Sequence, residues 1–127
     1  KAVIAVDEAK GEIYVCKGEN GISKITADGT VSQFFDCPTM KAPVHADKQG
    51  DVKGCANGVY VTANNVFVAC GSYGLVVLDK TTGKEVCHRK AYNGKSANFV
   101  TGDNDNNIFV AYGQSRVQVF KLTDTKK

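Results

Sequence analysis

Long hydrophobic runs are missing from this chain. Its apolar stretches are no longer than a β-strand, far short of the ~18 residues that a bilayer-spanning helix needs, so no membrane-spanning segment is expected. Blocks of one charge sign are missing too. The 16 basic and 13 acidic side chains are spread along 127 residues for a net charge of +3. With no basic block and no basic helical face, nucleic acid is not an expected partner. Nowhere do apolar residues recur at a period of 3.6 for long enough to build a helix. The GxSxG, HExxH and P-loop patterns are absent, so no catalytic residue and no cofactor is expected.

The five cysteines, Cys16, Cys37, Cys55, Cys70 and Cys87, are an odd set with no CxxC spacing. Cys87 and His88 are adjacent, which turns their side chains to opposite faces of a strand and spoils joint metal ligation. No zinc site is expected. Cys16 and Cys70 fall in or beside apolar strands, where a free thiol acts as a small hydrophobe. Cys37 and Cys55 bracket the one long insertion and are the pair a disulfide would bridge, although spacing alone does not fix connectivity.

What the chain does contain is a repeat. The stretch Val66 to Leu78, VFVACGSYGLVVL, is two apolar runs joined by a small polar turn with glycine at each end. It reads as a β-hairpin buried on both faces. The same hairpin occurs without a gap as IYVCKGENGISKI from Ile13 and as IFVAYGQSRVQVF from Ile108. The three copies align Gly18, Gly71 and Gly113, then Ile22, Leu75 and Val117.

Each hairpin has flanking strands. In the first unit AVIAV (residues 2–6) precedes it, and TVSQFF (residues 30–35) follows the ADG turn. In the second, VYVTA precedes and KEVCHRK follows a TTG turn; in the third, ANFVT precedes and nothing strand-like follows RVQVFKL. The expectation is an all-β fold of eleven strands, in three antiparallel units of four, four and three. Residues 40–53, polar and containing Pro43, read as a loop with at most one helical turn.

Four-stranded antiparallel units of about 42 residues, their strands lettered a to d in chain order, are the blades of a β-propeller. A sandwich accounts for the short strands equally well, but not for three gapless copies of one hairpin. The expected partition is blade one at 1–37, a loop insertion and connector at 38–58, blade two at 59–95, strands a to c of blade three at 96–122, and a tail at 123–127. Closed propellers need roughly 4–8 blades. Three blades in an open stack would leave two apolar faces bare, which soluble monomers avoid. The chain therefore reads as the C-terminal part of a larger propeller, with a closing strand upstream of Lys1. The alternative is that two copies associate.

The segment VFVACGSYGLVVLDKTTGKEV resembles the LVIVD-type repeat of secreted bacterial β-propellers, a glycine-flanked hairpin followed by a TTG-type turn. The closing stretch SANFVTGDNDNNIFVAYGQSRVQVFKL is similar to the last blade of such proteins among Bacteroidetes surface lipoproteins. The first unit departs from the pattern at Lys17, Glu19 and Ser23. The resemblance implies an exported protein, at the cell surface or in the periplasm and lipid-anchored through an upstream segment, with a binding or scaffolding role. It implies no catalytic residue.

Two polar clusters invite a chemical reading. Asp103-Asn104-Asp105-Asn106-Asn107 imitates the start of a calcium loop, but Ile108 stands where that loop needs glycine and Gln114 where it needs the bidentate glutamate. It reads as a solvated turn. His45 and Asp47 in the insertion have the chemistry of a metal or acid/base pair, with no third ligand fixed by sequence. Topology gives a better guide. In a propeller the b–c turns and the d–a connections emerge at one end, round the channel mouth. That end gathers Tyr73, Tyr92, Asn93, Gln114, Arg116, His45 and Asp47, whose aromatic faces, amides and guanidinium suit a glycan, a peptide or a partner loop. The expected function is non-catalytic binding or scaffolding at the bacterial envelope. The competing expectations are an enzyme with a metal-assisted site in the channel mouth and a structural subunit of an envelope complex.

Overall fold

The computed structural model describes residues 3–41, 51–91, 95–113 and 116–122. Among them the chain is all-β, with three antiparallel sheets, a separate two-stranded pair and no helix. The first sheet has the order β1 (Ile4–Asp7), β2 (Glu12–Cys16), β3 (Ile22–Ile25) and β4 (Val31–Phe35). The second runs in the same up-and-down order through β7 (Gly58–Val61), β8 (Asn65–Ala69), β9 (Leu75–Asp79) and β10 (Glu85–Arg89). The third consists of β11 (Ala97–Gly102), β12 (Asn107–Tyr112) and β13 (Arg116–Lys121). The eleven expected strands are all present, in the expected units of four, four and three.

The insertion differs from expectation. Its two ends pair as β5 (Thr39–Lys41) and β6 (Asp51–Lys53), held at the base by the Gly54 amide donating to the Pro38 carbonyl at 2.8 Å. Pro43 falls between the two strands in sequence and so removes no amide donor from either.

The repeated hairpin is built alike in the first two copies. Lys17 N donates to Gly21 O at 2.8 Å, and Cys70 N donates to Gly74 O at 2.8 Å. Gly18 and Gly71 take φ of 62° and 60°, Gly21 and Gly74 φ of 82° and 103°. That left-handed region is costly for any side chain, which is why glycine brackets both turns.

Packing explains the apolar character of the central strands. One core joins Tyr14, Cys16 and Ile22 of the first sheet to Val66, Val68, Val76 and Leu78 of the second. A second core joins the opposite face, Phe67, Ala69, Leu75 and Val77, to Val100, Ile108, Val110 and Tyr112 of the third sheet. Successive residues of β8 and β9 thus enter different cores, and neither strand has a solvent face. The outer sheets do. Ile4, Val6 and Val31 are 58%, 52% and 63% exposed, and Phe99, Val117 and Val119 are 49%, 60% and 59% exposed. Register places Val6 opposite Ile13 and Ile25 opposite Val31 on one outer face, and Phe109 opposite Val119 and Ala111 opposite Val117 on the other.

The conspicuous DKTTG turn is an inter-sheet clasp. The Asp79 carboxylate accepts from the amides of Thr81 (2.8 Å) and Thr82 (3.0 Å), closing the turn on itself. Lys80 reaches back to Asp7 of the first sheet at 2.6 Å, with both side chains buried. Gly83 lies so close to Phe34 that a Cβ would stand 2.8 Å from the Phe34 carbonyl oxygen. The Phe34 ring in turn meets Tyr14 edge-on, with centroids 5.1 Å apart.

Candidate functional site

The first two hairpin turns meet the residues that lead into the next sheet. Gly18 forms an antiparallel bridge with Ala56, and Gly71 an equivalent bridge with Ala97. Ala56 N donates to Gly18 O at 2.8 Å; Ala97 N donates to Gly71 O at 2.8 Å, and Gly71 N returns a bond to Ala97 O at 3.1 Å. Each turn of one sheet is thereby latched to the residue that leads into the next. Asn57, beside the first latch, reaches the second: its amide donates to Ala97 O at 3.1 Å. Ser96 adds a 2.9 Å bond to the Asn98 side chain.

Of the residues read from sequence as a ligand site, His45, Asp47, Tyr92, Asn93 and Gln114 lie outside the described residues. Tyr73 and Arg116 lie within them. Tyr73 sits in the second hairpin turn with its ring stacked on His88, centroids 4.0 Å apart and planes 11° from parallel. His88 Nε2 is 2.5 Å from the Tyr73 carbonyl oxygen, so the tautomer with the proton on Nε2 donates that bond. The Tyr73 hydroxyl donates to Glu85 at 3.4 Å. Partial burial and then the Glu85 charge raise its pKa. Tyr73 is therefore held down on β10, one ring face covered, and His88 is its support. Arg116 is exposed and opens β13 opposite Tyr112.

The alignment of the hairpins gives Arg116 a further meaning. It occupies the position of Gly21 and Gly74. A Cβ on Gly21 would stand 1.8 Å from Phe35 O, and one on Gly74 would stand 2.2 Å from Arg89 O. In both four-stranded sheets the end of the outer strand presses on this turn. The third sheet has no fourth strand among the described residues, and there the position carries a long side chain.

A feature not singled out from sequence is a thiol cluster. Cys16, Cys37 and Cys70 are buried within the core between the first two sheets, and Cys55 is half-buried beside them. All five cysteines are free thiols. Cys37 and Cys70 lie in the same core, and Gly54, whose amide donates to the Pro38 carbonyl beside Cys37, packs on the Cys70 sulfur. Cys37 also contacts Gly18 O at 3.4 Å, so the cluster abuts the first latch. Cys55 turns to Asn57 Oδ1 at 3.2 Å.

The Asp103 carboxylate is bonded within its own turn, and the turn is tied to β13 by Lys121 Nζ donating to Asp105 O at 2.7 Å. Asp103 Oδ1 accepts from the amides of Asp105 (2.9 Å) and Asn107 (3.0 Å), and Oδ2 accepts from the Asn107 side chain at 3.0 Å. Asn106 takes φ of 65°, the conformation that asparagine tolerates best among side-chain-bearing residues. No group of three or more metal-ligating side chains is found among the described residues. A cleft of roughly 150 Å³ lies between the second and third sheets, lined by Leu75, Val77 and Arg89 of the one and Ile108 and Phe120 of the other.

No protein-family model matches the chain, and no curated protein sequence is significantly similar to it.

Proposed function

We propose that the three sheets are successive blades of a β-propeller of the LVIVD-repeat kind, and that the protein is a non-catalytic binding or scaffolding module of the bacterial envelope. The observation that carries this reading is the repeated seating of one sheet on the next. The Tyr14 face of the first sheet meets the Val66 face of the second, the corresponding Phe67 face of the second meets the Ile108 face of the third, and the same glycine latch accompanies both junctions. A stack that repeats one head-to-tail contact closes into a ring when its rotation permits. The uncovered Ile13-side and Phe109-side faces are the two halves of that same contact, so further blades, from a longer chain or a second copy, are the partners the geometry fits.

Within that frame the turn end is the recognition surface, because loops on a rigid scaffold carry binding. Tyr73 stacked on His88 supplies a fixed aromatic edge, and Arg116, exposed at the start of β13, adds a positive charge to that end. Export follows from the resemblance of the repeat to secreted relatives. The test is capture from a glycan array and from an envelope extract, with Tyr73→Ala/Arg116→Ala as the control chain. A ligand bound by the parent chain, lost in the double variant and returned chemically unchanged supports the proposal. Chelator-sensitive turnover of the captured ligand would replace it with a metal-assisted enzyme.

A further inference from the structure

The thiol cluster lies at the junction of the first two sheets, and its arrangement is selective. Cys37 belongs to the connection leaving β4, whereas Cys70 directly follows β8 and opens the second hairpin turn. They are 33 positions apart in sequence, yet both lie in one buried core, and the Gly54 amide bonds the Pro38 carbonyl directly beside Cys37. Gly54, on the returning arm of the insertion, packs so tightly on Cys70 that a Cβ there would stand 2.8 Å from its sulfur. Gly18 and Gly71 flank Cys55 from either side, their notional Cβ atoms 3.8 Å and 3.3 Å from Cys55 Sγ and Cβ. The connection is thus wrapped against both latches through its cysteines.

The geometry points to Cys37 and Cys70 as a redox-active dithiol whose oxidation to a disulfide staples the inter-sheet connection to the second sheet. The oxidant is a low-molecular-weight disulfide. The Cys37 thiolate attacks one sulfur of that reagent, expelling a thiolate and leaving a mixed disulfide on Cys37. The Cys70 thiol, losing its proton to solvent, then attacks the Cys37 sulfur and expels the second reagent thiolate. Two protein thiols are oxidised, one reagent disulfide is reduced to two thiols, and no other reactant is needed.

The environment suits this order of attack. A hydrogen bond from the Cys70 thiol, helped by the amides of Ala56 and Gly21 and by the charge of Lys53, lowers the Cys37 pKa from 9.0 to about 7 against the opposing effect of burial. Cys70, the donor in that bond and fully buried, is pushed upward. A thiol with a pKa near ambient pH is the best attacking group in exchange, which makes Cys37 the entering thiol and Cys70 the resolving one. Cys55 is raised by burial and bonded to Asn57, and Cys16 is raised to about 12 by burial; neither competes as the first nucleophile.

The experiment is non-reducing peptide mapping by mass spectrometry after equilibration of the folded chain in graded oxidised and reduced glutathione. The expected product is a single Cys37–Cys70 cross-link, reversed by excess reduced glutathione, with Cys16 and Cys55 alkylated quantitatively after denaturation. The Cys55→Ser chain should give the same cross-link, and the oxidised parent chain should melt several degrees higher than the reduced one. A Cys37–Cys55 cross-link would overturn the assignment. So would five free thiols in a folded chain at full glutathione oxidation. The primary result comes from the parent chain and does not depend on any variant folding, nor on the propeller or ligand-binding proposal.

Discussion

The carbonyl oxygen of Arg89 lies 2.2 Å from the point where a Cβ on Gly74 would stand. Backbone, not a movable side chain, fills that space, and Gly74 also holds a φ of 103°. Gly74→Ala is therefore expected to push β10 off the hairpin and to destabilise the chain by ~3 kcal/mol or more. Gly29 separates the two contributions. It has a φ of 88° and no atom near its notional Cβ, so Gly29→Ala carries conformational cost alone, about 1 kcal/mol. Urea midpoints for the two variants should differ accordingly. Equal losses would mean that the outer strand does not press on the turn.

The same glycines show what could be read before the fold was in hand. A polar turn bracketed by Gly71 and Gly74 between two apolar runs encodes a hairpin locally, through φ and two short continuous apolar runs, and the structure has that hairpin at the expected residues. The approach of Arg89 to Gly74 is not local, because it depends on where the fourth strand ends. The pairing of Cys37 with Cys70 was hidden for the same reason. Bracketing the insertion made Cys55 the natural partner, and only the way the connection lies across the second sheet brings Cys70 to Cys37. The β5–β6 pair was hidden because three-residue strands have too little periodicity to register. Tyr73 was readable as a turn aromatic, but its stacking on His88 requires the register of β9 against β10.

The Asp7–Lys80 pair sits between the first two sheets, 2.6 Å apart and screened from solvent. Lys80→Met leaves Asp7 buried without its partner and is expected to cost ~3 kcal/mol, whereas the double change Asp7→Leu/Lys80→Met should cost much less. The hydrogen bond from Lys80 holds the Asp7 pKa below 3.8, outweighing burial. A carboxyl whose folded pKa is depressed contributes stability above its unfolded pKa and loses it as pH falls through the folded value. Thermal melts of the parent chain should therefore drop below about pH 4, and Lys80→Met should flatten that limb. An unchanged slope would show that the pair is not linked to folding.

Asp103 is committed to its own turn, with three donors on its two carboxylate oxygens. Asn107, through its side chain and its amide, lowers the pKa of Asp103 below 3.8. Asp103→Ala should lower the melting temperature by a few degrees, and the loss should vanish as pH falls through the Asp103 pKa. Calcium at millimolar concentration should leave the melting temperature of the parent chain unchanged, because the carboxylate is already satisfied. A calcium-dependent upward shift abolished in Asp103→Ala would reassign the turn as a cation site.

The uncovered faces lead to a prediction about association. Val117 and Val119 on the third sheet, and Val6 and Val31 on the first, are each more than half exposed, so lysine at these positions should change monomer stability by less than about 0.5 kcal/mol per site. If the faces are complementary halves of one head-to-tail contact, the isolated parent chain should associate with rising concentration. Val117→Lys/Val119→Lys lacks one half and Val6→Lys/Val31→Lys lacks the other, so each alone should sediment as a 13.6 kDa monomer. Mixed in equal amounts, the two retain one intact half apiece and should form a heterodimer through a single contact, weaker than any parent assembly because only one junction remains. A self-complementary contact behaves differently. A variant blocking its one patch would fail to pair with anything, and a variant blocking the unrelated face would associate as the parent does. Sedimentation velocity of the two variants, alone and mixed, distinguishes these outcomes. Heterodimer in the mixture with monomer in each component is the pattern of a head-to-tail contact and not of a self-complementary one.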